Sequence, residues 1–331
     1  MQNTIMYTKY FEIGHVTFSI VSGSLPLLDA IGGWLDDFEV TAHRGSSHSI
    51  QVELHAVEQD QPLPVKPPAE AVLVHESNEA KYYTHNNQWI VEGKKTGISM
   101  VDRSRLNIVA YVHPAYLLES LWNLENFMHP LVELMRQQGL YICHSAGVSL
   151  EGCGLLLAGK SGQGKSTLSV DLLNNGFSFL ADDRVFLREA DGGFEMIGFY
   201  EPVKLFASNI SHIPGLHQSD VFKASSSDRK NDVDMRLYYP ETMKRSSELK
   251  GVVFPVWSPG QKSRIESVGP GKALLELLPL TLVCFDRDTS KAHFDVLAKL
   301  VQLPAVKLIM GGDRENWHKV VLEFIARIRG N

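Results

Sequence analysis

Residues 159–166 read Gly159-Lys160-Ser161-Gly162-Gln163-Gly164-Lys165-Ser166, a GxxxxGKS loop, and no other stretch constrains the chain so tightly. The apolar run Gly154-Leu155-Leu156-Leu157-Ala158 before it predicts a buried strand. Apolar residues at 168, 170, 172 and 173 predict a helix that begins near Lys165. Strand, loop and helix in that order are the setting in which such a loop cradles phosphates. Gly159, Gly162 and Gly164 let the backbone turn sharply and bring its N–H groups to phosphate oxygens with no Cβ between. The helix N-terminus adds unpaired donors and partial positive charge, Lys165 adds a cation for the outer phosphates, and the Ser166 hydroxyl suits magnesium. With Lys160, Ser161, Gln163 and Thr167, these residues form a candidate site for a nucleoside triphosphate such as ATP. The four fixed positions coincide by chance on the order of once in a hundred chains of this length.

At 331 residues and 44% hydrophobic, the chain can build one large or two ordinary cores. Lys and Arg number 32 against 38 Asp and Glu, a net charge of −6, with no long basic run. That balance argues against a nucleic-acid groove or an anionic membrane surface. The start Met1-Gln2-Asn3-Thr4-Ile5-Met6-Tyr7 lacks the basic and apolar regions of a signal peptide, and no window reaches a membrane span, so a cytoplasmic location is expected. Cys143, Cys153 and Cys284 cannot all pair and show no metal-ligand spacing, which predicts reduced, mostly buried thiols. The sequence leaves room for a homo-oligomer.

Along the chain, residues 9–21 read as a strand, and Ser24-Leu25-Pro26 opens a helix carrying Leu27, Leu28, Ile31, Trp34, Leu35 and Phe38. Strands are predicted over 49–57, 71–75, 81–84, 89–92, 97–101 and 106–112, and two helices over 114–129 and 130–138, each with Pro in its first turn. A strand over 140–150 then leads through Glu151-Gly152 into the strand before the loop. These assignments place a smaller α+β domain at 1–135 and a mixed α/β domain at 136–331. Further strands are expected at 177–181, 249–256 and 305–310, with helices at 271–278, 291–300 and 317–328.

The strand at 177–181 ends on Asp182-Asp183. Neighbouring strand residues face opposite sides, so the pair can offer one carboxylate to magnesium and turn the other toward an acceptor. The polar stretch 207–236, rich in serine and short of apolar residues, reads as a long loop whose Arg229, Lys230 or Arg236 could supply a further cation.

Residues 140–187 carry His144-Ser145-Ala146-Gly147-Val148, the loop AGKSGQGKSTLSVDLL and LADDRV, and together they resemble the HPr kinase/phosphorylase family. Ala181-Asp182-Asp183-Arg184-Val185 matches the family's ADDRV-like segment directly. His144 matches its histidine, with Ser145-Ala146 set between it and Gly147-Val148. The resemblance implies a compact P-loop core of the HPr kinase/phosphoenolpyruvate carboxykinase-like type rather than a doubly wound sheet. It also implies transfer of the γ-phosphoryl group of ATP, with Mg2+, to a serine or threonine hydroxyl of a protein or peptide. In that reading Lys165, Asp182, Asp183 and His144 are catalytic, Asp182 and Asp183 sharing the roles of general base and magnesium ligand. Ser166 and Glu201 join the metal set. The family's glycine-rich phosphorylase signature has no counterpart downstream of the pair, where the nearest acidic and basic residues are Glu201 and Lys204. Reverse phosphorolysis is therefore not implied. Residues 1–135 match no part of that family, so the acceptor need not be HPr, and recognition of the acceptor is their expected role. A small-molecule kinase or a nucleotide-sensing ATPase module would use the same loop.

Overall fold

The structure, a computed structural model, describes residues 5–41, 49–58, 60–115, 121–216, 230–281 and 287–330. The chain divides into two compact units, Met1–Tyr141 with Val283–Lys291, and Ile142–Leu282 with Ala292–Asn331. No helix of the described residues is long and apolar enough to cross a membrane. Cys143 and Cys153 are buried free thiols, and Cys284 lies outside the described residues.

In the first unit β1 (Tyr7–Ile13), β2 (Val16–Ser22), α1 (Leu25–Trp34), β3 (Glu39–Val40) and β4 (Ile50–Ala56) come first. They are followed by β5 (Val72–Glu76), β6 (Ala80–His85), β7 (Gln88–Gly93), β8 (Gly97–Asp102), β9 (Asn107–Val112) and α2 (Glu125–Gln137). The nine strands form one sheet in the order β3-β1-β2-β4-β9-β8-β7-β6-β5, in which β4 lies parallel to both β2 and β9.

The single strand expected over 9–21 is a hairpin, Ile13 pairing Val16 across Gly14 at φ 63°. The apolar pattern runs through the turn because both strands bury residues, so periodicity alone does not reveal it. Ser24 caps α1 by accepting from the Leu27 N–H at 3.4 Å. The helix stops at Trp34, short of Phe38, after Gly32 and Gly33 weaken its last turn. Residues 116–120 of the first of the two helices expected over 114–138 lie outside the described residues, and the described part holds one α-helix, α2, with Pro130 inside it. Proline there forfeits one helical hydrogen bond, and the buried face of Phe127, Met128, Leu131, Leu134 and Met135 outweighs that loss.

The second sheet begins with β10 (Tyr141–Cys143), β11 (Ser145–Leu150) and β12 (Cys153–Ala158), before α3 (Lys165–Leu173). Next come β13 (Ser178–Ala181), β14 (Arg184–Ala190), β15 (Gly193–Phe199), β16 (Val203–Leu205), α4 (Ala207–Ile210) and β17 (Asn231–Val233). The chain ends with β18 (Ser246–Trp257), β19 (Arg264–Ser267), α5 (Pro270–Leu277), α6 (Arg287–Leu300), β20 (Ala305–Met310) and α7 (Trp317–Gly330). The sheet runs β10-β14-β15-β18-β12-β11-β13, with β20 beside β18 and β19 beside β20, while β16 and β17 form a separate ladder. The mixed α/β class expected for this half is what the structure shows.

The one strand expected over 140–150 is broken at His144, because β10 pairs with β14 whereas β11 pairs with β12 and β13. Glu151 (φ 49°) and Gly152 (φ 80°) form a two-residue turn with both residues left-handed, the geometry that keeps a tight hairpin twisted correctly. The stretch at 207–236 is also less loop-like than its composition suggests. Ile210, Ile213, Leu216, Val233 and Met235 are buried in one cluster, and β16 pairs with β17 across the base of the segment. Residues 217–229 lie outside the described residues.

Helix α3 is wedged between two cores. Leu168 and Leu172 pack with Leu155, Leu157, Met310, Trp317 and Phe324, while Val170 and Leu173 pack with Phe179, Val203, Leu205 and Ile210. The start of the helix is thereby held on both sides. Leu168→Ala is expected to cost about 2–5 kcal/mol, read as a lowered urea midpoint with an unchanged slope.

Candidate active site

Three strand ends and one helix start converge here. In the β11–β12 hairpin Ser145 pairs with Ala158, which brings His144 to the level of Gly159, where the loop begins. Gly147 of β11 pairs with Ala181 of β13, so Asp182 and Asp183 emerge beside the same end. The loop 159–164 then delivers the chain into α3 at Lys165.

Gly164 occupies the N-cap of α3 at φ 101°, and a Cβ there would lie 2.8 Å from Met310 Cε. The left-handed backbone conformation is what demands glycine, since the flexible end of Met310 could move aside. Gln163 braces the loop from inside, its Oε1 accepting from the Lys160 N–H at 2.7 Å. Lys165 is buried and donates from Nζ to the carbonyl of Gly159 at 2.7 Å. Burial lowers its pKa, and Asp183 and Asp182 act in the opposite direction. Thr167 Oγ1 accepts from Asn209 Nδ2 at 2.9 Å, tying α4 to the first turn of α3.

The two aspartates occupy unlike surroundings. Asp182 is 8% exposed, and its Oδ2 accepts from Ser166 Oγ at 2.6 Å. Its Oδ1 is buried with no hydrogen-bond partner among the described residues. Burial pushes its carboxyl up to about 6, with the Ser166 hydrogen bond, Lys165 and Lys230 pulling the other way. Asp183 is about half exposed, with His144 Nδ1 at 3.2 Å from Oδ1 and Arg184 Nη1 at 3.1 Å from Oδ2. Burial lowers the His144 pKa, against the pull of the Asp183 carboxylate.

Arg184 also pairs with Glu201, so one guanidinium bridges Asp183 and Glu201. The structure thus gathers Lys165, Ser166, Asp182, Asp183 and His144 at one place and sets Glu201 behind Arg184. Lys204 is exposed on β16, opposite Asp232. Sequence reasoning assigned no role to Arg184 or Asn209. The only signal for Arg184 was its place directly after the Asp pair.

Among the described residues no group of three or more His, Cys, Asp or Glu could by itself hold a metal ion. Magnesium does not require one, because it keeps several waters and takes one or two protein oxygens together with phosphate oxygens. Ser166 Oγ and the orphaned Asp182 Oδ1 are hard oxygen donors at a helix start, and they fit such an ion.

Residues 138–221 match the family model of the HPr Serine kinase C-terminal domain. The HPr kinase/phosphorylase of Mycoplasma mycoides is 26% identical over 168 residues, 47% of this chain and 52% of that protein. That of Malacoplasma penetrans is 37% identical over 67 residues, 20% and 22% of the two chains, and that of Lactococcus lactis subsp. lactis 34% over 98 residues, 29% and 30%. The alignments therefore span about half the length of the first of these relatives and less of the others. A solved structure of the Hpr(Ser) kinase/phosphatase from Coxiella burnetii aligns with 57% of this chain and 93% of its own, at 12% identity and a TM-score of 0.33, which is too low to speak to shared topology. The segment that holds the glycine loop and the Asp pair is thus similar to the C-terminal domain of the HPr kinases.

Proposed function

We propose that this protein is an ATP- and magnesium-dependent kinase that transfers the γ-phosphoryl group to a serine or threonine hydroxyl of a protein or peptide. The observation that carries this reading is the pairing of Ser166 with a buried Asp182 at the start of α3, beside an accessible Asp183 held by His144 and Arg184. The core would be the P-loop type of the HPr kinases, and a cytoplasmic location goes with ATP as donor.

The roles divide by environment. Lys165 leaves the Gly159 carbonyl for the β and γ phosphates, whose charge compensates the burial of its ammonium. Ser166 and Asp182 would hold magnesium, which when bound neutralises charge on those phosphates and aligns them. Asp183 accepts the proton of the attacking hydroxyl, because its carboxylate is the reachable member of the pair. Arg184 fixes one of its oxygens and the Nδ1–H of His144 the other, so the base is oriented before the acceptor arrives. Glu201 holds Arg184 in place rather than meeting the metal directly. The first unit supplies acceptor docking in this reading.

Incubating the protein with Mg2+, γ-labelled ATP and an extract of the cells that make it tests the proposal. Acid-stable label on serine or threonine of a macromolecule is expected. Label confined to inorganic phosphate or to small molecules would instead point to an ATPase module or a metabolite kinase. Ser166→Ala should raise the magnesium concentration needed for half-maximal ATP binding roughly tenfold, with the loop's N–H donors left in place. An unchanged magnesium titration would remove Ser166 from the metal set.

A further inference from the structure

Phosphoryl transfer needs positive charge on the migrating group in addition to that on the bound nucleotide. Three basic side chains described at the site are already engaged: Lys165 with Gly159, Arg184 with Asp183 and Glu201, and Arg236 with Asp234 while stacked 4.3 Å over the Tyr200 ring. Lys230 differs from all of these. Its ammonium lies 5.4 Å over the Phe206 ring and has no carboxylate partner among the described residues.

The fold ties the segment that carries this ammonium to the first turn of α3. Leu205 pairs with Asn231, so Phe206 and Lys230 sit side by side at the open end of the β16–β17 ladder. From Phe206 the chain enters α4, whose Asn209 bonds to Thr167, the neighbour of the Ser166 hydroxyl. The charge of Lys230 acts on both Lys165 and Asp182. A ring holds a cation by only about 0.5–1 kcal/mol at an exposed position, so the ammonium is readily released to a phosphate.

We infer that Lys230 is a catalytic residue of this site, its ammonium leaving Phe206 to meet the γ-phosphoryl oxygens as they pass to the acceptor. This rests on the kinase reading. It assigns to β17 the task of completing the charge around the transferred group, and it makes Phe206 the resting perch that keeps the cation from binding elsewhere.

Calorimetry on the full chain tests the inference without knowledge of the acceptor, using Mg·ADP alone and Mg·ADP with fluoroaluminate, a mimic of the group in flight. The wild-type protein should bind Mg·ADP and tighten at least tenfold when fluoroaluminate is added. Lys230→Met should keep Mg·ADP affinity within about threefold and lose most of the tightening, with an unchanged melting temperature. Lys230→Arg should recover it. Equal tightening in Lys230→Met overturns the role of Lys230 and leaves the kinase reading standing. A wild-type protein that binds Mg·ADP without tightening overturns the role as well. Failure of the wild-type protein to bind nucleotide overturns the kinase reading and, with it, this inference.

Discussion

Lys165→Ala is expected to lower phosphoryl transfer at least a hundred- to a thousandfold while the protein stays folded, with a melting temperature at or above that of the wild type. In the proposed reading, loss of the ammonium removes a buried cation that follows charge from the β to the γ phosphate. Its ammonium donates to the Gly159 carbonyl and carries no apolar packing of its own. Burial already lowers the pKa of this lysine, so its charged form is held at a cost that alanine removes. Single-turnover transfer and a thermal melt, measured on one preparation, check both halves. Near-normal transfer would mean that this loop does not hold the reacting nucleotide.

The second large effect separates the two aspartates. Asp183→Asn should bind Mg·ATP with near-normal affinity and lose transfer by roughly a hundredfold or more, because the amide cannot take a proton. Asp182→Asn should bind Mg·ATP weakly and yet be the more stable protein at alkaline pH. The folded-state carboxyl of Asp182 is raised to about 6, above its ordinary value of 3.8. Its contribution to stability is therefore fully present below about pH 4, declines through pH 6 and is absent at pH 8. Removing the carboxylate should stabilise the protein by about 1–3 kcal/mol at pH 8 and leave stability nearly unchanged at pH 4. Melts at the two pH values read this directly. A less stable Asp182→Asn at pH 8 would show that the buried carboxylate is held by favourable partners, contrary to its orphaned Oδ1.

What the residues make legible alone is what consecutive positions encode. The glycine loop, the helix start at Lys165 and the Asp pair are read directly because a loop of this kind is built from consecutive backbone, and because a strand end must turn where Asp182-Asp183 stands. The break at His144 was hidden, since only the pairing of β10 with β14 and of β11 with β12 and β13 creates it, and those partners are distant in sequence. The same holds for Ile210, Ile213 and Leu216, scattered among serines without a period and buried only when β16 meets β17. Pro130 was misleading for the opposite reason: a strong local signal lost to the burial of a helix face. Choosing among the basic residues of 207–236 needed tertiary partners as well. Arg236 is taken by Asp234 and Tyr200, and Lys230 is not. Arg229 lies outside the described residues.

In the proposed reading the loop at 159–166 and the buried Asp182 together form one site for magnesium and ATP. A calorimetric titration of ATP into the wild-type protein, with magnesium and with chelator, from pH 5 to pH 8, tests it most directly. The account predicts binding that depends on magnesium, strengthens as pH rises through about 6 when Asp182 gives up its proton, and releases that proton on binding near the midpoint. Binding that is indifferent to magnesium, or flat across this pH range, would contradict it.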